Sequence, residues 1–179
     1  MRRVIVTAGP QGCGKTTYSK KLIRLNSELQ LVSRDEILEE LYGTAWLSPY
    51  TGQHEFGQEV MWQRINEQLQ KTEAFIILDT WSGSDQERKE ITDRLRQLGA
   101  DRIIGYRFTT PEQVALRWYI QRESRGKDFK HVRQLTAPYR AEAYHHDYQL
   151  FHSYGVTKDQ GFDVILNVNP LQADLWLAA

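Results

Sequence analysis

Five short apolar runs punctuate the chain: RRVIVTA (2–8), LQLVS (29–33), AFIILD (74–79), RIIGYRF (102–108) and FDVILNV (162–168). The first and third show no polar alternation, which is the pattern of a strand buried on both faces of a parallel sheet. The segments between them carry helical spacing. Residues 15–26 suit one helix. RDEILEELYG (34–43) suits a short one that Gly43 can end. TAWLSPYTGQ (44–53) reads as a loop, and residues 54–72 form a longer helix with Met61, Ile65 and Leu69 spaced four apart. Ser84 and Glu87 make a capping box ahead of Ile91, Leu95 and Leu98, and Gly99 closes that helix. Thr110, Pro111 and Gln113 start another helix, carrying Val114 and Trp118. Residues 133–149 are helical, with Pro138 expected to break or kink them. Strands alternating with helices predict an α/β fold: a parallel sheet with helices on both faces.

With 179 residues, no internal repeat and no low-complexity linker, one domain spanning 1–179 is expected. No apolar run approaches the roughly 20 residues that span a bilayer, so no membrane partner is expected. The opening MRRVIVTAGPQG has two arginines but too short an apolar stretch for a signal sequence; it reads as the first strand. The single cysteine, Cys13, excludes an internal disulfide, and a cytoplasmic protein is the expectation. Cys13 sits among glycines and reads as a small filler rather than a nucleophile. Net charge is zero, which argues against a chain that binds nucleic acid through overall charge. The distribution is uneven. Arg117, Arg122, Arg125, Lys127, Lys130, Arg133 and Arg140 face only Glu123 and Asp128 across one stretch, a local +5.

The segment Gly9-Pro-Gln-Gly-Cys-Gly14-Lys15-Thr16 satisfies G-x-x-x-x-G-K-[ST] between a predicted strand and a predicted helix. Such glycines let backbone N–H groups converge on phosphate oxygens, and the following helix adds its N-terminal dipole. Gly9, Gln11, Gly12, Cys13, Gly14, Lys15, Thr16 and Thr17 are therefore the expected nucleotide cradle. Lys15 is expected on the β- and γ-phosphates of ATP, and Thr16 on Mg²⁺.

A water-activating ATPase usually places a glutamate after the aspartate that ends its second-motif strand; here Asp79 is followed by Thr80 and Trp81. A guanine-reading N-K-x-D string does not occur. Transfer of phosphate to an acceptor hydroxyl is left as the favoured chemistry, and it needs a base and cations over the γ-phosphate. Asp35 stands two residues past the second strand, at the end of the sheet where α/β proteins bind ligands, so it can serve as that base. Alternatively it caps the helix that follows. Asp79 ends its strand and can hold a Mg²⁺-bound water, or is a turn residue. Arg122 and Arg125, one turn apart beside Gly126, have the pattern of a mobile basic lid over about 122–132. A solvated basic face is the alternative.

The strings VTAGPQGCGKTTYSKKLI, VSRDEILEELYG, IILDTWSGSDQERKEITDRLRQLG and QRESRGK resemble the bacteriophage-type polynucleotide 5′-kinases and their wider P-loop kinase relatives, over roughly residues 3–130. The resemblance implies a five-stranded sheet in the order 2-3-1-4-5 and transfer of the ATP γ-phosphate to a 5′-hydroxyl of DNA or RNA. It implies that Lys15 and Thr16 hold phosphate and metal, that Asp35 is the general base, and that Arg125, with Arg122, acts from the lid. Two positions depart from the family. Leu38 stands where a member places an arginine that grips the acceptor's phosphate, and Trp81 stands where asparagine follows D-T.

Trp81 is a candidate to stack on an acceptor base or to pack in the core, and Arg34 is a candidate acceptor contact. Trp46, Tyr50 and His54 are candidates to line the acceptor cleft. The acceptor classes left open are a 5′-hydroxyl of nucleic acid, a hydroxymethylated base within DNA, which requires base flipping, and a small molecule such as a nucleoside, sugar or antibiotic. A non-catalytic nucleotide-binding module is the remaining alternative. His145, His146 and His152 lie in one segment, where no acid or cysteine completes a convincing metal set.

Overall fold

The computed structural model describes residues 1–45, 52–125 and 137–172; of 122–125, 137–140 and 154 it describes the backbone only. Its core is a five-stranded sheet of β1 (Arg2–Ala8), β2 (Leu29–Ser33), β3 (Ala74–Asp79), β4 (Arg102–Phe108) and β5 (Val164–Val168), in the order β2-β3-β1-β4-β5. Every ladder is parallel. Along β1, side chains alternate between two cores. Val4, Val6 and Ala8 join Ile76, Leu78, Met61 and Leu95 on one face; Ile5 joins Ile77, Ile104, Tyr106 and Leu22 on the other. Both faces are covered, which is why the strand reads as one unbroken apolar run.

Helix α1 (Lys15–Leu25) follows the glycine loop, and α2 (Arg34–Tyr42) starts directly at the end of β2. Gly43 ends α2 at φ 74, its N–H bonded to Glu39 O at 2.8 Å. Helix α3 (Gln53–Leu69) packs beside α2, and α4 (Asp85–Gln97) opens on the predicted capping box of Ser84 and Glu87. Helices α5 (Glu112–Arg125) and α6 (Ala137–Tyr154) complete the set.

Three boundaries differ from expectation. Residues 133–136 of the helix expected there lie outside the described residues, and the described part of α6 begins at Ala137, beside Pro138. The helix then runs on to Tyr154 rather than stopping at 149. The last strand starts at Val164, not Phe162. Phe162 instead turns its buried ring onto Gly105, where a Cβ would come within 3.2 Å of it. The long third helix ends at Leu69, three residues short of the predicted 72.

The entry of β1 is tied to that of β4. Asp101 accepts from the Arg2 backbone N–H at 2.7 Å and from its guanidinium at 2.9 Å, while its own N–H donates to Arg2 O. These hydrogen bonds hold the Asp101 carboxyl down to about 2. Because the folded value lies below the unfolded one, whatever stability the pair contributes is present above about pH 4. It is lost as pH falls through 2. An NMR titration of Asp101 in the folded protein is expected to give a midpoint near 2, and an ordinary carboxylate midpoint would refute the linkage.

Among the described residues no helix is long and apolar enough to cross a membrane.

Candidate active site

The glycine loop joins β1 to α1. Gly12 and Gly14 adopt φ 72 and 95, a region that other L-residues rarely enter. Gly12 also lies under α5: a Cβ there would stand 2.6 Å from Ala115 O and 2.8 Å from Tyr119 Cβ. Gly9 is confined in the same way by Cys13 Sγ and Phe108. Cys13 is a buried packing residue, and burial pushes its thiol upward, away from the reactive thiolate. Lys15 Nζ reaches back along the loop to donate to Gly9 O at 2.7 Å and Pro10 O at 3.0 Å.

The loop is braced from outside. Thr110 donates its hydroxyl to Cys13 O at 2.7 Å, so this buried residue, which stands just before α5, also supports the loop. Tyr144 on α6 donates to Gln11 O at 2.6 Å, and Tyr148 one turn on donates to Thr110 O at 2.8 Å. Burial raises both phenols and keeps them protonated as donors.

Beside the loop, Asp79 at the end of β3 is held between two threonines. Thr16 Oγ1 lies 2.6 Å from Asp79 Oδ2, and Thr7 Oγ1 lies 3.0 Å from Oδ1. Asp79 is buried, and Thr7 is completely so. This makes a pair of hard oxygen donors, Thr16 in the first turn of α1 and Asp79 at the end of β3, which is the donor chemistry that Mg²⁺ takes. Thr7 was not singled out from the sequence, although a threonine inside a buried Val/Ile strand is the kind of signal that marks such a role.

Asp35 lies in the first turn of α2. The cap of that helix is Ser33, whose hydroxyl accepts the Glu36 N–H, so Asp35 has no capping task. Its Oδ1 takes a hydrogen bond from Arg34 Nη2 at 3.0 Å, and its side chain is half exposed. Oδ2 takes no part in that pair.

One cavity of about 720 Å³ gathers these groups. It crosses the carboxyl ends of the strands, where open α/β sheets bind ligands. Strand order gives it two ends. Arg34, Asp35, His54 and Trp81 line the side of β2 and β3. Trp118, Gln121, Pro170 and Gln172 line the side beyond β1, and Lys15, Thr16 and Asp79 lie between. Thr17, Tyr18 and Lys21 of α1 also line it. Lys21 went unnoticed in the sequence, yet it stands one helical turn from Thr17 and Tyr18 and so shares their face.

Trp81 is not core: it is 46% exposed and faces the cavity. Leu38 is core. It is fully buried against Gly57 of α3, so the position where the related kinases carry an acceptor-gripping arginine points into the protein here. The lid expected over 122–132 begins on the last turn of α5. The side chains of Arg122 and Arg125 lie outside the described residues, as do residues 126–136, Trp46 and Tyr50. The three histidines do not meet. His145 pairs with Glu112 at 2.6 Å, His146 stands 3.6 Å from Asp147, and His152 stacks on Tyr148. Burial, then Arg107, lowers His152 and holds it neutral. No cluster of three metal-ligating side chains occurs among the described residues.

A parallel sheet in this order, with the phosphate loop after its central strand and acids at the ends of the two strands on one side of it, defines a P-loop kinase-like domain. An AAA domain family model matches residues 4–141, and the chain belongs to that family. No curated protein matches the sequence. Among solved structures, a putative kinase from Chloroflexus aurantiacus superposes with a TM-score of 0.70 at 20% identity, over 97% of this chain and 92% of that one. A chain of the Pnkp1/Rnl/Hen1 RNA repair complex gives 0.66 at 19% identity, over 87% of this chain and 46% of that one. Shikimate kinase from Bacteroides thetaiotaomicron gives 0.57 at 16% identity, over 92% and 85%. At these identities the likeness is one of fold.

Proposed function

We propose that the protein is an ATP-dependent phosphotransferase that moves the γ-phosphate to a hydroxyl of a nucleic acid, with the 5′-hydroxyl of DNA or RNA as first candidate. The observation that carries this reading is a carboxylate, Asp35, without a capping role, in the same cavity as the Lys15 loop and the Thr16–Asp79 pair. The glycine loop and Lys15 hold the phosphate chain. Thr16, with Asp79 through a water, would hold Mg²⁺, whose charge offsets that of the phosphate oxygens when bound. Asp35 takes the acceptor's proton as its oxygen bonds to phosphorus and the bond to the leaving diphosphate breaks. Arg34 orients the Asp35 carboxylate from Oδ1. Arg125, with Arg122, supplies cations from the lid.

The acceptor end favours nucleic acid over a sugar because it joins an exposed aromatic, Trp81, to a cation, Arg34. A gluconokinase-like or shikimate kinase-like small-molecule reading rests on fold likeness alone. The deciding experiment is transfer from labelled ATP to a panel: 5′-hydroxyl DNA and RNA, DNA with hydroxymethylated bases, free nucleosides and small polyols. Transfer to oligonucleotides is expected. Transfer to polyols alone would replace the reading.

A further inference from the structure

Trp81 is held in place by the backbone beneath it. A Cβ on Gly83 would stand 2.6 Å from Trp81 Cζ2 and 2.9 Å from Cε2, so the indole rests directly on the glycine. The loop that carries both residues is clamped on two sides. The fully buried guanidinium of Arg88 donates to Ser82 O at 2.8 Å and Gly83 O at 3.0 Å. Ser82 Oγ donates to Thr7 O at 3.0 Å, tying the loop to β1. Trp81 is left nearly half exposed on this constrained loop. It opens into the cavity that holds Asp35 and Arg34.

We infer that Trp81, seated on Gly83 and locked by Arg88, is a preset stacking platform for a planar base next to the reacting hydroxyl, and that it determines acceptor specificity. This rests on the reading of the cavity as a phosphoryl-transfer site and narrows it: the acceptor carries a nucleobase on the same residue as its hydroxyl. Fixing the ring beforehand removes the ordering cost that a mobile aromatic would meet on binding. Stacking is indifferent to which base is presented, so the platform selects for the presence of a base and not for sequence. Arg88 and Gly83 are positioning residues, since neither is among those lining the cavity.

The test compares two oligonucleotides that differ only at the 5′ residue, one with its base and one abasic. Binding is read by anisotropy of a 3′-labelled strand, and transfer by steady-state kinetics, for the wild type, W81F, W81A and G83A. Base–aromatic stacking corresponds to roughly a 5- to 100-fold change in affinity. The wild type is expected to prefer the base-bearing strand within that range. W81A should erase the preference by raising KM with little change in kcat, and W81F should retain most of it. G83A, which pushes the indole off its seat, should resemble W81A while keeping its thermal transition. Equal preference in the wild type and W81A would overturn the platform, as would no binding of either strand to the wild type. Phosphate transfer that continues without base preference would sink this inference and leave the transfer reading intact. Base-dependent binding through Trp81 without transfer would do the reverse.

Discussion

Replacing Asp35 with asparagine is expected to lower kcat by about 10²- to 10⁴-fold, the range that a positioned general base supplies. The fold should survive the change. Ser33 caps α2, so Asp35 contributes only a favourable charge in the first helical turn, about 0.3–1 kcal/mol at an exposed site. Asparagine keeps the side-chain length and can still accept from Arg34, but it cannot take a proton. The KM for ATP should therefore hold while single-turnover transfer slows. A variant within about twofold of wild-type turnover, with ATP binding unchanged, would exclude Asp35 as the base. The other carboxylate that lines the cavity, Asp79, is held by Thr7 and Thr16 and is assigned to the Mg²⁺ side of the site.

Arg88→Ala is expected to destabilise the protein by about 3–5 kcal/mol, the cost of breaking a buried charged network from one side. Arg88 is fully buried and reaches five partners: Ser82 O, Gly83 O, Asp85, Gly155 O and Gln160. Removing it leaves those groups without its hydrogen bonds, and each carbonyl left buried and unpaired carries a desolvation cost. For a chain of this size the melting temperature should fall by about 6–20 °C. Urea unfolding with an unchanged m-value would measure the difference directly. A loss below about 1 kcal/mol would mean that water or relaxation replaces the guanidinium. Burial lowers the Arg88 pKa, but Asp85 opposes the shift, and the group stays charged.

Much of the scaffold was legible because its signals are local. The phosphate loop is eight consecutive residues whose glycines have a mechanical reason to be there, and Gly12 and Gly14 take the positive φ that the motif demands. Ser84 and Glu87 satisfy each other three residues apart, and Gly43 ends its helix through a bond to Glu39. The apolar runs showed which segments are buried on both sides, and Val4 and Ile5 do face opposite cores. The boundary of β5 was misplaced for a tertiary reason. Phe162 is as apolar as a strand residue, but it fills the space above Gly105 rather than joining the ladder.

The site was less legible. Asp35 was singled out, but whether it capped a helix depended on the Ser33 hydroxyl meeting the Glu36 N–H. Leu38 looked like a missing acceptor contact until its burial against Gly57 showed that the position faces inward. Thr110 looked like a helix start and is also a brace for Cys13 O, 97 residues away. Thr7 and Thr16 meet Asp79 across separations of 72 and 63 residues, and no periodicity encodes a contact of that range.

By itself, the sequence determined which segments form strands and helices, which faces they bury, and that a phosphate-binding turn follows the first strand. Those properties follow from backbone conformation and from side-chain spacing over a few residues. Only the tertiary structure decided that Asp35, Lys15, Trp81 and Asp79 share one cavity, that Trp81 stays open to it, and that a buried arginine pins the loop beneath. Strand order sets these, because it brings chain segments far apart in sequence to one edge of the sheet. A side chain's partners there depend on every element packed around it.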